Sequence, residues 1–384
     1  LICGVNIEAI SLYIHIPFCR SKCAYCDFLS FRAGRDECRE YIDALISELS
    51  FYRGESIRTM YIGGGTPTLL EEAQMARLFE AIQKLFDLSK IEECTIESNP
   101  ESLSARKVKL FLSGGVNRVS LGVQSFDNRV MKAMQRPTRK RHTLHSISLL
   151  RTAGIENIGL DLILGLQKED QYKKDLDAVL KIMPAHISVY MLHIGSGTPL
   201  ERMVKTGRFV PMSEHTFERL YGATVDMFSD AGYSHYEISN FARPGYECRH
   251  NINYWEAGGY IGVGLGAVST DHAERRRNAC SMREYIRHIR AGTLPVTRHE
   301  HLGERELRIE KLMLCLRMSK GITVGELYAL AKKSSRGLVR TFVEQLVHLG
   351  YAERRRDRLS LSVSGIMRSD FIVTELLRAV EGEG

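Results

Sequence analysis

Six short β-type runs, each followed by a longer amphipathic stretch, fill the first half of the chain and leave few folds open to it. The runs Ser11–Ile16, Thr59–Ile62, Cys94–Glu97, Arg118–Val123, Ile158–Leu164 and His186–Leu192 are rich in β-branched or aromatic residues. Each gives way to glycine, proline or a polar turn. Between them, apolar residues recur at helical spacing. Tyr41, Ile42, Leu45, Ile46 and Leu49 follow a cap at Asp36, and Met75, Leu78, Phe79, Ile82 and Leu85 follow Thr68. Segments around Val108–Leu112, Leu144–Leu150 and Leu176–Ile182 repeat the scheme. Such alternation predicts an α/β fold of parallel strands joined by right-handed crossovers. Six units make a barrel or an open sheet, and periodicity alone does not separate the two.

Beyond these units the character changes. A helix over Ser213–Asp230 leads to a strand-like Tyr233–Ile238 and then to a loop-rich, glycine-rich span ending near Thr270. After Pro295, Leu307–Leu316, Val324–Ala331 and Leu338–Leu349 read as three helices. A hairpin over Tyr351–Ser362 and a last helix to Val380 complete a winged-helix-like pattern. The division expected is a core over residues 1–270 and a small helical domain over 271–384. Arg354, Arg355, Arg356 and Arg358 on the hairpin could meet nucleic acid phosphates. The reading preferred is a solvated edge hairpin kept from pairing by its charge.

Composition removes whole classes. The chain has 384 residues, 44% of them hydrophobic and 26% charged, which excludes disordered, collagenous and disulfide-scaffold proteins. No run approaches about 18 apolar residues, so no membrane-spanning helix is expected, although peripheral membrane contact stays open. No basic stretch precedes an apolar one at the start, so the expectation is a cytoplasmic protein without a secretory signal. A net charge of +7 suits an anionic ligand and is weak evidence for a nucleic acid partner. Nine cysteines argue against a disulfide framework in that compartment. Scattered ones such as Cys3, Cys38 and Cys315 read as small core residues. A cluster needs another explanation.

Cys19-Arg20-Ser21-Lys22-Cys23-Ala24-Tyr25-Cys26 sets three thiols in a C-x3-C-x2-C pattern directly after the first strand. Three thiolates on one short loop can hold three irons of a [4Fe–4S] cluster and leave the fourth iron open to a ligand. Structural zinc asks for four ligands in a closed tetrahedron, often as paired C-x2-C units. No second pair exists here, and His15, a conceivable fourth ligand, lies within the strand. The pattern points to a cluster.

The spacing, with Tyr25 before the last cysteine, resembles the radical S-adenosylmethionine (SAM) superfamily. Tyr13-Ile14-His15-Ile16-Pro17-Phe18-Cys19 and Tyr61-Ile62-Gly63-Gly64-Gly65-Thr66-Pro67-Thr68 are similar to its coproporphyrinogen dehydrogenase-like branch. The resemblance covers nearly the whole chain. It implies a partial (β/α)6 barrel with a small C-terminal helical, winged-helix-like domain, and a [4Fe–4S] cluster on Cys19, Cys23 and Cys26 whose open iron takes SAM. Tyr13, Tyr25, Gly65, Thr66, Pro67, Glu97, Gln124, Arg136 and Asp161 match the SAM-contacting positions. Side-chain chemistry agrees in part. Glycines admit close backbone approach, and a guanidinium at Arg136 suits a carboxylate. Glu97, Gln124 and Asp161 lie at or inside apolar strands, where burial without partners would cost about 1–3 kcal/mol each. Core hydrogen bonding is the other role open to them.

Within the branch, the porphyrinogen-oxidising enzymes carry a further cysteine two residues after the third, where this chain has Phe28. The HemW haem chaperones have the phenylalanine and a downstream H-N-x-x-Y-W motif, matched here by His250-Asn251-Ile252-Asn253-Tyr254-Trp255. That resemblance implies haem as a ligand and an acceptor protein to receive it. His250 would be the iron ligand, with Asn251 beside it and Tyr254 and Trp255 packed on the macrocycle. Cys248 is a second candidate ligand, and a packed histidine with no ligand is the plain alternative. The runner-up function is oxygen-independent coproporphyrinogen III dehydrogenation. Three positions depart from the family pattern: Gly195 replaces a glutamate, Gln167 a proline, and Val268 a histidine.

Overall fold

A computed structural model describes residues 9–382; Cys3 lies outside the described residues. The chain divides into two compact units. The first takes the residues up to Pro211 with Cys248–His250 and Gly259–His301, and the second takes Met212–Glu247, Asn251–Gly258 and Leu302 onward.

The first unit begins with six parallel strands, β1 (Ile10–Ile16), β2 (Ile57–Gly64), β3 (Glu93–Ser98), β4 (Arg118–Gln124), β5 (Asn157–Leu164) and β6 (His186–Met191). Helices α1 (Arg35–Leu49), α2 (Glu72–Leu85), α3 (Ala105–Ser113), α4 (Asn128–Ala133), α5 (Lys140–Thr152) and α6 (Glu169–Ile182) make the crossovers, and α7 (Pro199–Lys205) follows β6. The strands pair in chain order. On its free side β1 pairs in parallel with β9 (Tyr260–Val263), not with β6. The six strands therefore do not close into a full barrel, in keeping with the partial barrel expected.

Each strand separates its two faces by chemistry, as a two-residue period requires. Leu12, Ile14 and Ile16 are fully buried on one face of β1, and the apolar stripe of α1 (Tyr41, Ile42, Leu45, Leu49) is fully buried as well. The other face is polar and cross-linked. Thr59 donates to Ser11 (2.8 Å), Tyr61 to Glu97 (2.8 Å), and Ser120 to both carboxylate oxygens of Asp161 (3.0 and 3.1 Å). Arg118 is 1% exposed on this inner face.

The sheet does not stop near residue 270. Strands β10 (Val268–Asp271), β11 (Glu274–Asn278) and β12 (Val296–His301) continue it antiparallel from β9, with α10 (Met282–Arg290) between the last two. The expected division at 270/271 would cut the β10–β11 hairpin, and the first unit ends at His301 instead. The span expected to be loop-rich also holds a helix, α9 (Arg249–Trp255), which starts in the first unit and ends in the second.

The second unit joins α8 (Glu214–Asp230) and the hairpin β7 (Ser234–Glu237) and β8 (Asn240–Ala242) to the C-terminal elements. These are α11 (Glu304–Cys315), α12 (Val324–Leu330), α13 (Arg336–His348), α14 (Val363–Ile366) and α15 (Ser369–Glu381), with a three-stranded sheet in the order β13 (Ile322–Thr323), β15 (Arg358–Leu361), β14 (Ala352–Arg355). Helices and wing follow the expected pattern. Arg358 donates to the carbonyls of Lys320 (2.6 Å) and Gly321 (2.8 Å), and Arg355 pairs with Glu353 (2.7 Å), so two of the four hairpin arginines are used within the unit. No helix among the described residues is long and apolar enough to cross a membrane.

Candidate functional site

The C-terminal ends of all six parallel strands open onto one cavity of about 370 Å³. Ligands collect at this end of parallel α/β sheets because the loops there diverge. Each strand delivers its own part. The loop after β1 brings Cys19, Cys23, Tyr25 and Cys26, and β2 ends in Gly64, Gly65 and Thr66. From β3 come Glu97 and Asn99, from β4 Gly122 and Gln124, from β5 Asp161, and from β6 Tyr190 to His193.

The cysteine loop is pinned along its length. Cys19 N–H donates to Phe31 O (2.9 Å) and Cys26 N–H to Cys23 O (3.1 Å). Ala24 is held from both sides, donating to Met134 O (3.0 Å) and accepting from Leu200 N–H (2.8 Å). Ala24 also sits in an apolar cluster with Met131, Met134, Ile163, Leu166 and Leu200, against which Tyr25 packs. All three thiols of the motif line the cavity. Among the described residues no three His, Cys, Asp or Glu side chains stand close enough to share one metal ion. Of the scattered cysteines, Cys94 and Cys248 are buried, whereas Cys38 and Cys315, expected in the core, are only half-buried and Cys280 is exposed.

Arg136 binds the site together. Its guanidinium donates to Asn99 Oδ1 (2.7 Å), Gly122 O (2.5 Å), Cys23 Sγ (3.5 Å) and Tyr25 Oη (3.4 Å). Asn99, which sequence reasoning did not single out, also donates to Thr66 Oγ1 (3.0 Å). Two buried atoms here have no hydrogen-bond partner: Arg136 Nε, a donor, and Gln124 Oε1, an acceptor. Gln124 holds a left-handed backbone at φ +65° where β4 ends, an uncommon state for a residue with a side chain. Buried polar atoms left unanswered at the end of a cavity are what a polar ligand would complete.

Close approach explains the glycines. A Cβ at Gly64, where φ is +112°, would fall 2.4 Å from the His15 ring, and one at Gly65 would fall 2.7 Å from Phe18 O. Glu97 accepts from Tyr61 Oη (2.8 Å) and Gly64 N–H (3.0 Å), yet burial pushes its carboxyl up to about 7. Burial likewise raises Asp161 above the usual carboxylate range. Tyr13 and Pro67 are not among the cavity walls. Tyr13 Oη instead meets His15 Nδ1 (2.9 Å), and Pro67 opens a buried 3-10 turn over Pro67–Leu69.

The radical SAM superfamily profile matches residues 13–180. The heme chaperone HemW of Lactococcus lactis is 34% identical over 92% of this chain and 94% of its own length. That of Bacillus subtilis is 32% identical, over 92% and 96% respectively. This chain belongs to the HemW family of the radical SAM superfamily. Among solved structures, the coproporphyrinogen III oxidase HemN of Escherichia coli superposes with a TM-score of 0.83 over 96% of this chain and 90% of its own, at 21% identity. The shared fold is thus the HemN fold.

The segment that carries the HemW-like motif lies elsewhere. His250 is 0% exposed and does not line the cavity. Its Nδ1 stands 2.9 Å from Thr59 Oγ1, and its ring stacks on Tyr61 at 5.3 Å. Because Thr59 donates onward to Ser11, the bond is donated by His250 Nδ1. Burial, with the Arg118 charge added, lowers this imidazole to about 3, so it is neutral. Glu93 ties down the same turn, accepting from Cys248 Sγ (3.3 Å), Arg249 N–H (2.9 Å) and His250 N–H (3.2 Å). The expected iron ligand is thus enclosed in the barrel, with Thr59 beside its ring in the place expected of Asn251. Asn251, Tyr254 and Trp255 are half-buried in the second unit.

Two of the three departures from the HemW pattern have a structural reason. A side chain at Gly195 would meet Asp27 Cβ at 3.0 Å and its carboxylate at 3.1 Å, so Asp27 fills the space a glutamate would need. Gln167 donates to Asp175 Oδ2 (2.9 Å), whose other oxygen accepts from Phe126 N–H (3.0 Å), and this ties α6 to the turn after β4. Val268 opens β10, and nothing in the structure explains why it stands there.

Proposed function

We propose that this chain is a haem chaperone that holds a [4Fe–4S] cluster on Cys19, Cys23 and Cys26, binds SAM in the adjoining cavity, and passes haem to an acceptor protein. One observation carries the cofactor part. The three thiols share a cavity with the unanswered buried atoms of Gln124 and Arg136. HemW relatives matched over most of the chain support the haem part.

When bound, the cluster supplies an open iron and an electron. The chain's own residues orient the ligand. Gln124 Oε1 can accept from a hydroxyl, Arg136 can face a carboxylate, and Gly64, Gly65 and Thr66 line the cavity beside them. Glu97, poised near neutrality, can accept from an amine or hold a proton at Oε2. Tyr254 and Trp255 offer apolar area to a macrocycle, whereas His250 reaches a haem iron only by leaving Thr59 and Tyr61. We place the protein in the cytoplasm, with haem and a protein acceptor as its partners and no nucleic acid.

The test is anaerobic reconstitution followed by parallel assays of haem binding and coproporphyrinogen III turnover. The reading expects saturable haem binding and no protoporphyrinogen IX. Turnover would move the chain to the runner-up, the oxygen-independent dehydrogenase.

A further inference from the structure

We propose that His193 is the axial ligand through which this chain takes up haem at the cavity mouth, an assignment that rests on the haem reading above. An iron porphyrin asks three things of a protein: broad apolar walls, an imidazole or thiolate that the iron can approach, and cations for its propionates. The outer part of the cavity wall has all three. Phe28 is 69% exposed and Tyr190 42% exposed, large apolar surface of a kind that soluble chains mostly bury. Leu192 adds half-buried aliphatic area beside them. Lys22 lines the same wall and is exposed, its Nζ donating only to Phe28 O (3.1 Å).

His193 stands among these residues, exposed and lining the cavity. It has no hydrogen bond or ion pair among the described residues. Of the other histidines, His145, His215, His272 and His348 are exposed as well but do not line the cavity. His15, His142, His235, His288, His299 and His301 already hold partners. His186 and His250 are wholly buried, as is Cys248. Among the described residues, His193 is the only histidine that lines the cavity. Phe28 gains a meaning here as well: in place of a cysteine it turns an aromatic face outward beside the cysteine loop. Ligation by His193 is a bond between its ring nitrogen and the haem iron, with no electron transferred and no bond broken in the macrocycle.

The experiment uses the full-length, cluster-reconstituted protein, titrated anaerobically with haemin and, in parallel, with iron-free protoporphyrin IX. The wild type should bind haemin saturably with the spectrum of an imidazole-ligated iron. His193→Ala should lose affinity for haemin by about tenfold or more and shift the Soret band, with iron and sulfide content unchanged. Added imidazole should restore the band, and affinity for protoporphyrin IX should hardly move. His193→Gln serves as the second variant and should behave alike. His250→Ala should keep the wild-type Soret position. A wild type that binds no haemin removes the haem reading itself. Binding with an unchanged Soret band in both His193 variants, or equal loss of haemin and protoporphyrin IX, leaves that reading standing and overturns His193 as the ligand.

Discussion

At the scale of single residues, position in the chain is a poor guide to the cost of change. Gly64→Ala adds one methyl group, yet it forces a side chain into φ +112° and onto the His15 ring at 2.4 Å. A strained backbone of this kind costs about 1–3 kcal/mol, so the urea midpoint should fall by a corresponding amount, whereas Gly325→Ala, which meets nothing, should not lower it. Replacing any one of Cys19, Cys23 or Cys26 by Ala should abolish the cluster absorbance after reconstitution, and Cys38→Ala and Cys315→Ala should leave iron and sulfide intact. Retained iron in all three motif variants would remove the cluster. Much of the site was legible because it hangs on motifs at strand ends: Tyr25, Gly65, Thr66, Glu97, Gln124, Arg136 and Asp161 all line the cavity. Asn99 was not, since its value lies in bridging Thr66 and Arg136, residues 33 and 37 positions away. The setting of His250 was equally hidden, because Thr59 lies 191 positions from it.

At the scale of elements, the six strands were read to within two residues at either end because alternation and turn residues mark them strongly. Helix starts were read less well. The cap of α1 is Gly34 and not Asp36, which lies in the first turn, and α2 begins behind Glu71 and not after Thr68, whose hydroxyl is taken by Ser102 (2.6 Å). Helix α9 was missed for a physical reason. Its Arg-His-Asn-Ile-Asn-Tyr-Trp run has weak helix propensity, and its first N–H groups are satisfied by Glu93, which no local pattern reveals. Helix α1 carries a further buried carboxylate, Glu48, which accepts from Gly264 N–H (2.8 Å), Asn278 Nδ2 (2.6 Å) and Tyr285 Oη (2.5 Å). Burial pushes it up to about 7 despite those bonds. Its folded value lies above the unfolded one, so stability is greatest below about 4.5 and is lost as pH rises through 7. With a shift from 4.5 to about 7, that loss amounts to about 3 kcal/mol. Urea unfolding of Glu48→Gln between pH 4.5 and 8 should therefore show a shallower decline than the wild type; an identical decline would mean that Glu48 does not titrate there.

At the scale of the whole molecule, the second unit is drawn from three stretches of chain. Arg368 pairs with Glu218 (3.0 Å), and a Cβ added at Gly222 would meet Val363 at 3.6 Å, so α8 belongs to the same body as the C-terminal helices. A fragment of residues 271–384, the domain expected from the pattern of elements, would lack α8 and would carry β11 and β12 without β10. It should show no cooperative thermal transition by circular dichroism; a sharp one would mean that these contacts are dispensable. Sequence pattern cannot disclose such a division, because adjacency in the chain is the only proximity it contains. The two unanswered atoms in the cavity, Gln124 Oε1 and Arg136 Nε, have a consequence for the folded population as a whole. A ligand that completes them binds the native state and not the unfolded chain, so occupancy and folding become linked. At a hundredfold excess over its dissociation constant, such a ligand adds about 2.7 kcal/mol to the unfolding free energy. With SAM as that ligand, as proposed, the melting temperature of the reconstituted protein should rise with the logarithm of SAM concentration, and a flat response would separate the two atoms from SAM.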